Sequence, residues 1–185
     1  MAEIIDVSFT CDRFATALQF AGVRTVIRYY TRDSAADSPK RLGPSEATAL
    51  SAAGLRLAIV YEGRRGNQID YFDNSTGLLD GAYARSYAHH TIGQPGGTAI
   101  YFGIDTDASP TDIQKRVIPY FKGIAQSFSQ STGEPAYLAG VYGSGATCQA
   151  ILDAGLAQFA WLAQSTGWRG YKPFLDSSRW TLLQK

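Results

Sequence analysis

Short apolar runs alternate with stretches that carry apolar residues at helical spacing, from one end of the chain to the other. This alternation limits the fold more than any single motif does. The runs cover residues 4–9, 25–30 (TVIRYY), 55–61 (LRLAIVY), 98–105, 137–142, 158–164 and 180–184. They are rich in β-branched and aromatic residues, which marks them as strands. Helical patterns lie between them at 14–21, 46–53 (closing at Gly54), 80–91, 111–129 and 145–154, with Pro119 predicting a kink in the longest. A polar loop is expected over 31–43. Strands that alternate with helices predict a parallel sheet covered by helices. Near-continuous apolar strands are those buried on both faces. An open doubly wound sheet and a closed (β/α) barrel both meet these conditions. Seven strands, with an eighth at 171–174, point to a compact (β/α)8 barrel. A chain of 185 residues is shorter than the usual barrel of about 200 or more, so some helices must be short or missing.

The length and the lack of a linker or repeat predict one domain over residues 1–185. Seventeen basic residues against sixteen acidic ones leave no basic footprint for nucleic acid. No run of eighteen apolar residues exists, so no membrane span is expected. The opening MAEIIDVSF lacks a basic region followed by a long apolar stretch, so it does not read as a signal peptide. Action outside the cell would then need a signal-independent route or a signal already removed. Cys11 and Cys148 read as buried free thiols. Eleven tyrosines, each with an apolar face and a polar tip, suit a sugar-binding cleft as well as a core edge.

Both architectures bind ligands at the C-terminal ends of the strands. Those ends carry Asp6, then Arg28 and Tyr29, then Tyr61 and Glu62, then Asp105 and Asp107, then Tyr142, Gln164 and Gln184. No His or Cys pair has metal spacing, and no glycine-rich loop cradles phosphate, so no metal or cofactor is expected. Ser144, in GSG, does not satisfy the nucleophile-elbow pattern. In YFGIDTD (101–107), two acids stand two residues apart. On a strand such residues point the same way, about 6.6 Å apart, so Asp105 and Asp107 are expected to share a pocket with Asp6. Close carboxylates drive their pKa values apart, which equips a site for glycosidic bond cleavage.

The ordered set IIDVSF, TVIRYY, GPSEATALSAAGLRLAIVYE, IGQPGGTAIYFGIDTD, LAGVYGS and FAWLAQSTGW resembles the bacterial glycoside-hydrolase-like domain of unknown function 1906. That family is similar to the lysozyme-like muramidases of glycoside hydrolase family 25. The resemblance covers nearly the whole chain. It implies a (β/α) barrel, an acidic pocket and a role on cell-wall peptidoglycan. The muramidase pattern, an Asp on strand one and a D-x-E pair after strand four, falls on Asp6, Asp105 and Asp107. Asp107 replaces the Glu of that pattern, and Gln164 stands where the muramidases carry a later Asp.

The resulting expectation is a muramidase-type hydrolase. Asp107 would donate the proton, Asp105 and Asp6 would stabilise the sugar cation, and Arg28, Tyr29, Tyr61, Glu62, Tyr142, Gln164 and Gln184 would surround the glycan. Arg28 also reads as a structural partner for Asp6, Glu62 as a reserve acid, and Trp168 as the sugar-stacking ring. Two rival readings are a glycan-binding module that does not cut and a toxin or lysin domain delivered by a partner outside this chain.

Overall fold

The computed structural model describes residues 3–32, 39–63, 65–130 and 133–185. Of the expected polar loop, residues 33–38 lie outside the described residues, as does Arg64. The strands are β1 (Ile4–Asp6), β2 (Thr25–Tyr30), β3 (Arg56–Tyr61), β4 (Ala99–Gly103), β5 (Leu138–Gly143), β6 (Phe159–Leu162) and β7 (Leu182–Leu183). They form one sheet in sequential order, every pair parallel. The helices are α1 (Ala15–Phe20), α2 (Pro44–Ala52), α3 (Asn74–Ser86), α4 (Pro110–Asp112), α5 (Ile118–Ser129), α6 (Gly145–Asp153) and α7 (Tyr171–Asp176).

The sheet curls like a TIM barrel but stays open. Among the described residues, β1 pairs only with β2, and β7 only with β6. The closed eight-stranded barrel is therefore corrected to a seven-stranded open one. The segment 171–174, expected as the eighth strand, starts α7 instead. Its Phe174 is buried against α6, where it meets Gly145, so its apolar residues serve a helix face.

Two further expectations change. The helix expected at 80–91 begins at Asn74, because the Asp73 carboxylate accepts from the Thr76 amide and caps it. Sequence reading takes the stretch before residue 80, rich in Gly, Asn and Asp, as a loop; its part from Asn74 onward is helical. The Pro119 kink is a π-helical turn over Ile113–Val117. Proline lacks an N–H and its ring crowds the carbonyl four residues back. A wider turn just before it removes that conflict, and α5 then continues to Ser129.

The period-two alternation of the strands divides the core. Tyr30, Ile59, Tyr61, Ile100, Phe102, Val141 and Leu162 pack outward under the helices, with Tyr120, Phe121 and Ile124 of α5. Ile27, Tyr29, Val60, Tyr101 and Trp161 point into the curl. A Cβ at Gly140 would lie 2.5 Å from the Tyr101 ring; the bare backbone there lets Tyr101 fill the lumen. Helices α3 and α5 approach so closely that a Cβ on Gly77 would collide with the Tyr120 backbone.

Candidate active site

The C-terminal strand ends surround an open pocket of about 760 Å³. Asp6 closes β1, Tyr29 sits near the end of β2, and Glu62 follows β3. Asp105 lies just past β4, and Tyr142 and Trp161 come from β5 and β6. Gln164, Ser165, Thr166 and Gln184 complete the far wall. The strands give these residues a common rim because they are parallel and in sequential order.

Acidic charge gathers at one place. Loss of hydration and the negative charges of Asp105, Glu62 and Asp6 push the Tyr142 hydroxyl well above its usual pKa. The three carboxylates thus act on one phenol. Asp6 accepts a hydrogen bond from the Tyr29 hydroxyl on Oδ2 at 2.8 Å. Glu62 pairs with Lys40 Nζ at 2.8 Å, and that ammonium also lies 4.4 Å from the Tyr29 ring centre. Asp105 is anchored through its main chain, its amide donating to Gly66 O at 3.0 Å. No described residue donates to its carboxylate, which faces the pocket. On the opposite wall, Gln184 Oε1 accepts from the Tyr142 hydroxyl at 3.2 Å and from the Gln164 amide at 3.0 Å. Trp161 packs edge-on to Tyr142 with ring centres 4.7 Å apart.

Of the residues expected at the site, Asp6, Tyr29, Glu62, Asp105, Tyr142, Gln164 and Gln184 meet in this pocket. Arg28, Tyr61 and Asp107 stand outside it. Arg28 and Tyr61 point to the helical side of the sheet because each neighbours an inward-facing residue, Tyr29 and Val60. Arg28 is fully buried and pairs with Glu46 of α2, not with Asp6. Tyr61 donates to Asp80 at 2.7 Å; this buried carboxylate of α3 also receives Tyr71, Tyr120 and Arg32. Asp107 does not follow the strand alternation. β4 stops at Gly103, the chain bends at Thr106, and the Asp107 carboxylate accepts from the Arg169 amide at 2.9 Å and its guanidinium at 2.6 Å.

Sequence reading missed Lys40, Val60, Trp161, Ser165 and Thr166. Trp161 and Val60 were within reach, since they share the inward parity of Tyr142 and Tyr29. Trp168 does not line the pocket. Lys40 gives no local signal: buried Arg28 holds the carbonyls of Pro39 and Lys40, each at 2.9 Å, and so sets the loop over the pocket.

Asp6 keeps much of its surface exposed at the pocket wall, but partial loss of hydration there raises its carboxyl above the ordinary 3.8; the Tyr29 hydrogen bond and the charges of Lys40 and Arg28 oppose this without cancelling it. A raised folded-state pKa means that protonated Asp6 favours folding. That contribution is full below pH 3.8 and is lost as pH rises through the folded value. Asp6→Asn, which cannot ionise, is therefore expected to melt above the wild type at neutral pH. The two melting temperatures should converge below pH 3.8. The side chain meets pocket water, so the gap will be small, and melting curves across pH will read it.

Residues 16–184 match the family described as Rv2525c-like, glycoside hydrolase-like domain. The chain is 33% identical over 177 residues to Bacillus subtilis YbfG, covering 92% of this chain and 24% of YbfG. It is 26% identical over 161 residues to the Mycobacterium tuberculosis protein named "Putative peptidoglycan hydrolase Rv2525c", covering 85% of this chain and 64% of that protein. It thus spans about a quarter of the first relative and under two thirds of the second. The crystal structure of the Tat-secreted Rv2525c with L-tartrate superposes with a TM-score of 0.70 at 23% identity, covering 90% of this chain and 79% of that one. That likeness is one of fold. With nearly its whole length matched and the carboxylate pocket at the strand ends, the chain belongs to the Rv2525c-like, glycoside hydrolase-like domain family.

Proposed function

We propose that this domain hydrolyses glycosidic bonds in the glycan strands of bacterial peptidoglycan. The observation that carries the reading is the meeting of Asp6, Glu62 and Asp105 around Tyr142 in one open pocket. Glycosidic cleavage needs a carboxylic acid to protonate the leaving oxygen and a carboxylate to stabilise or attack the sugar centre. Asp6 suits the first role, because its raised pKa keeps a proton to higher pH. Tyr29 donates to Oδ2 and fixes the carboxyl at the pocket wall. Asp105, whose carboxylate receives no hydrogen bond from the described residues, suits the second. The ammonium of Lys40 holds Glu62 in place, so Glu62 shapes the wall between them. The name of the Mycobacterium tuberculosis relative supports peptidoglycan as the substrate.

Mass spectrometry of purified peptidoglycan after incubation with the protein tests this. New muropeptides are expected from the wild type and from Asp107→Asn, whose carboxylate serves Arg169 outside the pocket. Asp105→Asn should release none. Folded wild type that releases no product would leave a glycan-binding module, a reading favoured by the amides Gln164 and Gln184 on the far wall.

A further inference from the structure

The open seam between β1 and β7 is a groove of about 740 Å³, within the size range of ligand sites. It runs into the carboxylate pocket, and both are lined by Asp6, Trp161 and Gln184. Its character differs from that of the pocket. Ile4, Ile27, Leu182 and Leu183 form most of its walls, beside Trp180 and the edge of Trp161, which is itself only 4% exposed, and Ile4 is 42% exposed. Both sides are strand edges without a strand partner among the described residues. Glu3 O accepts from the Thr25 amide and the Val7 amide donates to Ile27 O. Alternation along a parallel strand then turns the main-chain groups of Ile4 and Asp6 to the seam.

We propose that this seam binds the peptide portion of a peptide-bearing glycan, as an added strand beside β1. The inference rests on the peptidoglycan reading of the pocket. A sugar is held through hydroxyl contacts and exposed aromatic faces, whereas aliphatic walls and free main-chain edges match an extended peptide. The continuity at Asp6, Trp161 and Gln184 places such a peptide where it would leave a glycan seated in the pocket.

Titration calorimetry with three probes tests this: soluble peptidoglycan strands, the same strands stripped of peptide by an amidase, and the released stem peptide. The wild type is expected to bind peptide-bearing strands at least tenfold tighter than stripped ones. Ile4→Pro removes a seam-facing N–H and trims one apolar wall side chain, keeps the bonds of Glu3 and Val7 to β2, and occupies an edge position that proline tolerates. With an unchanged melting curve, it should lose that tenfold preference. Equal affinity for the two strands, or a preference that survives Ile4→Pro, overturns the proposal. If neither strand binds, the pocket reading fails by itself. Free peptide then decides the seam: binding that Ile4→Pro abolishes supports it, and no binding overturns it. A concentration-dependent dimer that Ile4→Pro dissolves would give the seam to a second copy and also overturn the proposal.

Discussion

Glu46→Ala is expected to destabilise the fold by about 3–5 kcal/mol, the usual cost of stranding one member of a buried ion pair. Arg28 is 0% exposed and Glu46 2%. The guanidinium donates Nε to Glu46 Oε1 at 2.9 Å and Nη2 to Oε2 at 3.0 Å. Its other protons go to the carbonyls of Val7, Lys40 and Pro39. Glu46 Oε1 also accepts from the Cys11 amide at 2.8 Å. Alanine would leave a charged guanidinium and an amide without their acceptor in a dry site. For a chain of this length the loss corresponds to a melting temperature lower by roughly 6–20 °C, readable by circular dichroism. The double variant Arg28→Met, Glu46→Leu removes both charges but leaves the Val7 carbonyl and the Cys11 amide without partners, so it should recover only part of the loss. A Glu46→Ala protein that melts with the wild type would disprove this account. Arg28 also grips the loop that carries Lys40, so the stability of this pair and the shape of the pocket are one problem.

Under the proposed glycosidase reading, in which Asp6 is the proton donor, Asp6→Asn is expected to lower kcat by about 10²–10⁴, the range for loss of a general acid, while slightly raising stability at neutral pH. The two effects have one cause. Partial loss of hydration at the pocket wall disfavours the ionised form of the otherwise exposed Asp6, and that small penalty would both cost folding energy and favour the protonated form that the proposed donor role needs. The wild-type rate should fall as pH rises through the raised Asp6 pKa, because the donor is then ionised. Asp6→Asn should show no such limb in its residual rate. A steady-state pH profile on purified peptidoglycan measures both. An unchanged kcat, or a limb that persists in Asp6→Asn, would take the donor role from Asp6. Asp6→Asn that melts below the wild type at pH 7 would disprove the burial penalty.

Much of this fold is legible from pattern alone. TVIRYY is β2 from end to end, and the alternation of strands and helices gives the parallel sheet. The barrel's failure to close is not legible. Residues 171–174 have the apolar content of a strand, yet α6 presents a glycine into which a helix can settle. Local propensity carries no information on that contact.

The site divides in the same way. Strand ends hold ligands in parallel sheets, and that rule places Asp6, Tyr29, Glu62, Asp105, Tyr142, Gln164 and Gln184 at one rim. Parity separates Tyr29 from Arg28 and could have excluded Tyr61. It fails for Asp107, because alternation lasts only as long as the strand, and the chain turns after Gly103.

The sequence by itself determined the α/β class of the fold, the places of its strands along the chain and which strand residues share a face, since these depend on residue type and on a period of two. Only the tertiary structure decided which acids meet, that Lys40 joins them, and that a seam stays open beside Asp6. Those outcomes depend on partners far along the chain: Arg169 for Asp107, Glu46 for Arg28 and α6 for α7. Contacts of that range are set by packing, on which a local pattern is silent.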